Sequence, residues 1–420
     1  MIDIDLLRNH KDLLVASLAR RGASHIDVDA LSELDERRRA VRVEAEELRS
    51  AQKKAGQAIA TLEGDAKQAA IDDAARLAVE YKTLVAAADG LDEQFDATWV
   101  LIPNVADPTA ADGHKEEDAV EIKRVGEPPV FDFEPKDHVQ LGVALGVLDI
   151  ERAAKVSGSR FGFVMGDLAI VEFALVRYAM DRLMPHGFKP MVPPVLVREE
   201  ALFGTGFFPG DADEVYSIGN DELYLVGTSE VPIAAFHSNE ILDEAALPIR
   251  YAGYSTCFRR EAGSHGKDTR GIFRVHQFDK VEMFSFVARD AGAAEHEFLL
   301  EREEEILAGL ELPYRVVNVA AGDLGASAAK KYDIEAWFPS YGRYREVTST
   351  SNTTDYQSRR LKIRYRTESG NEFVNTLNGT AVAVGRILIA IMENLQEADG
   401  SVRMPAALVP YTGFDRISAR

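Results

Sequence analysis

The chain has 420 residues, 46% of them hydrophobic, a formal charge of −21 at pH 7 and one cysteine, Cys257. Such a length points to two domains with a sizeable core, while a lone cysteine excludes a disulfide framework, a cysteine-built zinc site and dithiol redox chemistry. No apolar run reaches the roughly eighteen residues of a membrane span, and the start, Met1 to Asn9, is acidic and amphipathic. The expectation is therefore a soluble, unprocessed protein of the reducing cytoplasm, with no membrane partner. The charge argues against nucleic acid, but Arg37, Arg38, Arg39, Arg42, Arg49, Lys53 and Lys54 cluster in one stretch, and local patches govern electrostatic steering.

From Leu31 a heptad pattern runs through Leu34, Arg38, Val41, Ala45, Leu48, Gln52, Ala55, Ile59 and Leu62; eight of these ten positions are apolar. Gly64-Asp65 interrupts it. The pattern then resumes through Ile71, Ala74, Ala78, Tyr81, Val85, Ala88, Asp92, Phe95 and Trp99. Two helices of matching length joined at a glycine turn predict an antiparallel coiled-coil arm, about 45 to 50 Å long at ~1.5 Å per residue. Taken alone, such an arm suits a spacer or a dimerisation rod, with its basic residues solvated, as well as it suits an RNA-binding limb.

Leu101-Ile102-Pro103-Asn104 ends the hairpin, because proline and the residue before it resist helix. The polar stretch from Asp107 to Pro135 reads as a linker. The predicted division is an N-terminal helical domain over 1–108, a linker over 109–136 and a globular domain over 137–420. In the last, Leu168, Val171, Leu175 and Tyr178 form a helical stripe stopped by Gly187. Strand-like runs cover 189–197, 222–226, 250–260, 272–286, 314–319, 344–349 and 371–377. Hairpins with few intervening helices predict an α+β class with a mainly antiparallel sheet.

The densest chemistry lies in Tyr254-Ser-Thr-Cys-Phe258-Arg259-Arg260-Glu261, a loop bearing His265, Lys267 and Arg270, and Ile272-Phe-Arg274-Val-His276-Gln-Phe278-Asp-Lys280-Val-Glu282. A period of two puts Arg274, His276, Phe278, Lys280 and Glu282 on one strand face, and Arg259 with Glu261 on one face of its partner. Guanidinium forks, an aromatic ring and carboxylates suit a nucleotide triphosphate meeting an amino acid, although a salt-bridged solvated face has the same composition. Neither a Walker glycine loop nor a dinucleotide glycine fingerprint occurs, so nucleotide binding would rest on side chains.

The Phe258-Arg259-x-Glu261, loop, Arg274-x-x-x-Phe278 arrangement resembles the second signature motif of class II aminoacyl-tRNA synthetases. Gly187-Phe-Lys-Pro-Met-Val-Pro-Pro194 resembles the first motif, and Asn378-Gly-Thr380-Ala-Val-Ala-Val-Gly385-Arg386 the third. Within that class the chain is similar to the seryl-tRNA synthetase family. Thr228-Ser229-Glu230 resembles its serine triplet, His276 to Glu282 its second-motif strand, Arg345-Glu346-Val-Thr-Ser349-x-Ser-Asn352 its metal and ATP strand, and the hairpin its tRNA-binding arm. The likeness covers nearly the whole chain.

The resemblance implies a class II catalytic domain, an antiparallel sheet flanked by helices, that activates L-serine with ATP and loads it onto tRNA(Ser), with tRNA(Sec) a further acceptor. It assigns Arg259 to the α-phosphate and the substrate carboxylate, Glu261 to adenine, and Arg274 to the γ-phosphate side. Phe278 would stack on adenine with Arg386 on the other face. Arg260, Val275, Val347 and Thr348 complete the ATP set. Glu346 and Ser349 would hold Mg2+, and Thr228, Ser229, Glu230, Glu282 and Thr380 would surround serine. It also implies a homodimer through the first-motif strand and the helix before it. Arg260, Thr348 and Thr380 depart mildly from commoner family residues, which bears on pocket width. A related ligase that loads a carrier protein would lack the arm, and a catalytically dead RNA-binding protein would not keep the arginines and glutamates. A threonine pocket built on cysteine and histidine zinc ligands is out of reach of one cysteine.

Overall fold

The structure is a computed structural model that describes residues 1–263, 268 and 270–418; His265 and Lys267 of the predicted cationic loop lie outside the described residues. The chain forms two compact units: one of Asp3–Ala19 and Ala23–Ile102, the other of Met1–Ile2, Arg20–Gly22 and Pro103–Arg420.

In the first unit α1 (Val28–Ile59) and α2 (Gly64–Trp99) pack against each other as the heptads predict. Asp27 caps α1 by accepting from the Ala30 N–H at 3.0 Å. Gly64 opens α2 at φ +60°, a conformation costly for any residue with a Cβ. Leu31, Ala45, Ala88, Phe95 and Trp99 are buried, whereas Ile71 nearer the turn is 40% exposed, because two helices alone enclose only a narrow seam. Two short helices, Ile4–Asn9 and Lys11–Arg20, precede α1 in the chain and carry no heptad signal.

The basic cluster is divided by its partners. Asp35 accepts from Arg8, Arg38 and Arg39, and Arg42 pairs with Asp92. Burial alone would raise the Asp35 carboxyl, but the bonds from Arg8 and Arg38 hold it at about 2. Arg38 also lies 3.8 Å from the Phe95 ring centroid. Arg37, Arg49, Lys53 and Lys54 have no ion pair among the described residues and face solvent chemistry alone.

The second unit is built on eight strands: β1 (Val120–Val125), β2 (Phe188–Met191), β3 (Ile249–Phe258), β4 (Gln277–Val287), β5 (Tyr314–Asn318), β6 (Lys330–Phe338), β7 (Arg343–Asn352) and β8 (Asn375–Ala383). Their spatial order is β1-β5-β6-β7-β8-β4-β3-β2. Every adjacent pair is antiparallel except β2 with β3. The helices used below are α3 (Gly166–Leu183), α4 (Glu230–Ala235), α5 (Gly292–Gly309), α6 (Tyr356–Leu361) and α7 (Val384–Asn394). Alternation along β4 sorts its residues: Val281 and Met283 join the core formed with Leu168, Val171 and Leu175 of α3 and Ile387 and Ile391 of α7. Each such fully buried aliphatic side chain contributes roughly 1.5–3 kcal/mol.

The structure departs from the sequence reading in four places. The 109–136 linker contains β1, an edge strand whose residues are almost all exposed; its apolar Val120 and Ile122 stay in solvent, so the segment reads as polar connecting chain. Strand β6 is absent from the predicted runs although Lys331, Asp333 and Glu335 alternate with the buried Tyr332, Ile334 and Ala336, the period-two pattern of a strand with one buried face. The run 189–197 is interrupted at Pro193-Pro194, leaving β2 in the large sheet and Leu196–Arg198 in a separate three-stranded one. Finally, β3 stops at Phe258 and β4 starts at Gln277, because Arg260 N–H bonds to the Glu214 carbonyl and His276 N–H to that of Arg160.

Candidate active site

A cavity of about 590 Å3 opens where β4, β7 and β8 meet the segment before α4, within the usual range for small-molecule sites. Its deepest polar residues come from one row of the sheet. Glu282 on β4 lies opposite Thr380 on β8 and Gly253 on β3. Gly253 is required there: a Cβ would sit 2.3 Å from Ile233 Cδ1, so its absence lets α4 lie against the sheet and bring Glu230 beside Glu282. Ser229 fastens this approach, its hydroxyl donating to the Gly253 carbonyl at 3.2 Å.

Both carboxylates are buried. Thr380 Oγ1 donates to Glu282 Oε2 at 3.4 Å and the Lys280 ammonium pairs with the same oxygen. Glu230 Oε1 accepts from Gln357 Nε2 at 2.7 Å and Asn378 Nδ2 at 3.1 Å. Burial and the nearby Glu282 push the Glu230 carboxyl up to about 7, against the bond from Gln357. Two carboxylates sharing one cation, Lys280, leave a floor short of positive charge, which an ammonium ligand would supply.

Towards solvent the lining becomes cationic. Arg259 is exposed; its Nε donates to the Gly227 carbonyl at 3.3 Å and its guanidinium lies 5.2 Å from the Phe278 ring centroid. Arg274 pairs with Glu261 at 2.7 Å, and Glu261 holds φ +52°. Arg386, in the first turn of α7, donates to the Glu346 carbonyl oxygen at 2.9 Å and lies 4.9 Å from the Phe273 ring centroid. Guanidiniums over aromatic rings make a surface suited to a purine with its phosphates.

Glu346 and Ser349 stand three apart on β7, a spacing that regular alternation assigns to opposite faces. A bulge reconciles them. Glu346 pairs with Glu335 and Thr348 with Ile334, leaving Val347 as the extra residue, so both Glu346 and Ser349 line the cavity. Thr348 also borders the cavity, but its hydroxyl is engaged: it donates to the buried Glu303 Oε2 at 3.2 Å, and burial holds that carboxyl well above its ordinary range. For Glu346, burial favours the neutral acid, but Lys331, then Arg386 and Arg259, hold it ionised at about 2. One ionised carboxylate with one hydroxyl fits Mg2+, which takes few protein ligands and completes its shell with water and phosphate. Among the described residues no group of three or more His, Cys, Asp and Glu is placed to hold a metal ion without such help.

Most predicted site residues thus share one cavity: Thr228, Glu230, Arg259, Glu261, Arg274, Val275, Phe278, Glu282, Glu346, Val347, Thr348, Ser349, Thr380 and Arg386. Ser229 and Arg260 do not line it; Ser229 faces Gly253 and Arg260 lies 6.0 Å from the Tyr216 ring. His276, which alternation grouped with Phe278, turns away and bonds to the Arg259 carbonyl at 3.0 Å, since it precedes the strand. Thr380 sits within β8, three residues before Ala383, the N-cap position of α7. Sequence reasoning gave no role to Lys280, Phe273, Lys331, Asn378 or Gln357. Lys280 and Asn378 stood inside quoted motifs, Lys331 was lost with β6, and Gln357 carried no local signal.

Comparison with known proteins gives two family models: the seryl-tRNA synthetase N-terminal domain matches residues 1–106, and the tRNA synthetase class II core domain (G, H, P, S and T) matches 214–395. Serine–tRNA ligase of Acidothermus cellulolyticus is 54% identical and that of Nocardia farcinica 53%, each alignment covering 99% of both chains. Among solved structures, the chain is similar to seryl-tRNA synthetase from Pyrococcus horikoshii complexed with ATP, with TM-score 0.95, 40% identity and all of both chains covered. It is also similar to the cytoplasmic serine–tRNA ligase from Naegleria fowleri in complex with AMP, with TM-score 0.90, 34% identity, and 100% and 99% of the two chains covered.

Proposed function

The chain belongs to the seryl-tRNA synthetase family, and from that premise we propose how its residues divide the work of an ATP-dependent serine–tRNA ligase. The serine carboxylate attacks the α-phosphorus of ATP; a bond from carboxylate oxygen to phosphorus forms as the bond to pyrophosphate breaks. The terminal ribose hydroxyl of tRNA then attacks the seryl carbonyl, losing its proton, and AMP leaves with the bonding electrons. Neither step needs an enzyme nucleophile, so positioning and charge neutralisation carry the rate.

The observation that carries this division is the single cavity whose buried floor is carboxylate and whose rim is guanidinium. Glu230 and Glu282 receive the serine ammonium and hydroxyl, with Thr228 and Thr380 beside them. A hydroxyl-seeking floor leaves buried polar groups unpaired when alanine enters, a discrimination on the order of 10⁴. Arg259 neutralises the α-phosphate, Arg274 the γ-phosphate side, and Phe278 with Arg386 flanks the purine, which Glu261 reads. Magnesium, rather than zinc, is the ion assigned to Glu346 and Ser349, where it would neutralise phosphate charge when bound.

The arm is assigned to tRNA(Ser), with tRNA(Sec) as a second acceptor by the same route; charging assays on both transcripts test that. Homodimerisation is assigned to α3, which exposes Ile170 and Phe173, and to edge strand β2, after which Val192 is exposed; the three are 44%, 67% and 80% exposed. Membership of a tRNA-charging family supports a cytoplasmic site of action; among the described residues no helix is long and apolar enough to cross a membrane. The decisive experiment is ATP–pyrophosphate exchange with each of the twenty amino acids. Serine alone should support exchange; activation by another amino acid in its place overturns the assignment.

A further inference from the structure

Helix α6 contributes one residue to the serine floor without lying in any motif of the site: Gln357, which is fully buried. Its amide is locked on both sides. Nε2 donates to the Thr205 carbonyl at 3.2 Å and to Glu230 Oε1 at 2.7 Å. Oε1 accepts from the Thr376 hydroxyl at 2.9 Å, and Thr353 Oγ1 in turn donates to the Thr376 carbonyl at 2.7 Å. A carbonyl on the Nε2 side accepts only, so the amide has one orientation that satisfies every partner. Asn378 adds a second donor to the same Glu230 oxygen at 3.1 Å. Among the described residues no donor reaches Glu230 Oε2, although Glu230 lines the cavity.

From this geometry we infer that Gln357 is a positioning residue for amino-acid selection: it occupies Oε1 of Glu230, turns Oε2 to the incoming substrate and favours the ionised carboxylate that an ammonium requires. The inference rests on the assignment of Glu230 to serine. Of the Thr353–Thr376–Gln357–Glu230 relay only Glu230 lines the cavity, and it does so at the carboxylate floor, away from the guanidinium rim assigned to ATP, so loss of the relay should separate the two substrates. A charge-assisted bond in a buried site is worth about tenfold or more in binding when removed.

The test is pyrophosphate exchange by the full-length protein and its Gln357→Leu variant, with KM measured separately for serine and ATP across pH 5.5 to 8.5. KM for serine should rise about tenfold or more while KM for ATP stays within about twofold. The acid limb of kcat/KM for serine should move to higher pH, because the lost donor had favoured ionised Glu230; a general loosening of the fold would lower activity at every pH alike. Should Gln357→Leu fail to fold, as read by its melting curve, Thr376→Val serves instead. It removes the hydroxyl that orients the amide without touching Glu230, and should give a smaller rise in KM for serine with the same shift of the limb. Parallel rises in both KM values, or an unmoved limb, overturn the inference. Absence of serine-dependent exchange in the unaltered protein would instead overturn the functional assignment beneath it.

Discussion

The helix pair and the eight-stranded sheet are ordered by contacts of very different range. In the arm, each residue's environment follows from neighbours three and four positions away, and the partner helix arrives through a short turn. In the sheet, Glu282 meets Thr380 across nearly a hundred residues and Gly253 across about thirty, through pairings that no local pattern reveals. The arm accordingly has a repetitive, partly exposed seam and tolerates solvent along its length. The sheet concentrates charge in a buried floor that holds only if every strand is in register, with bulges at Val347 on β7 and beside Glu282 aiming the side chains.

The sharpest way to break the comparison is to remove one region and leave the other. Deleting Leu31 to Leu91 should lower tRNA charging by roughly a thousandfold or more, since the phosphate contacts proposed for the arm go with it. Serine-dependent pyrophosphate exchange should stay within about threefold, and equal loss of both activities would refute the division of labour. Next in size, Arg259→Ala should cut exchange by about 10²–10³, the usual loss for one donor aimed at developing charge. Stopped-flow binding of ATP then tells whether the loss lies in binding or in the step itself.

A finer test concerns the divided basic cluster. Replacing Arg49, Lys53 and Lys54 together by alanine should raise KM for tRNA about tenfold and flatten the logarithmic salt dependence of charging by about 2 to 3, without touching exchange. Arg38 and Arg42 would behave differently, since both are already paired with carboxylates inside the arm; their loss should appear in the melting temperature.

The smallest effect expected is a pH dependence confined to the serine floor. Glu230 titrates at about 7 in the free protein, above the ordinary carboxyl value. With its ionised form proposed to receive the substrate ammonium, kcat/KM for serine should fall as pH drops below about 7, by up to about tenfold per unit, with ATP saturating. The same raised value means that the folded protein binds this proton more tightly than the unfolded chain. Glu230's own contribution to stability therefore diminishes as pH rises from the ordinary carboxyl range through about 7.

Much of the site was legible because two motifs bring their chemistry with them: Arg259, Glu261, Phe278 and Glu282 of the second and Thr380 and Arg386 of the third reached one cavity from short quoted segments. Where reading failed, it failed chiefly for want of backbone detail. Alternation misplaced His276 because β4 begins one residue later. It would also have parted Glu346 from Ser349 but for the bulge at Val347. Strand β6 was legible in its alternation but not read from it, and with it went Lys331, its contribution to the cavity.

The sequence by itself determined the helical arm, its turn and its ends, the α+β class and most of the residues that line the cavity, because these rest on periodicity, proline and glycine, and compact motifs. Only the tertiary structure decided which basic residues of the arm remain unpaired, that a bare Gly253 lets Glu230 approach Glu282, and that Gln357 holds Glu230 from outside every motif. The reason is physical: pairing, close approach and the orientation of a buried amide depend on which distant residues share a surface, and that is settled when the strands take their register.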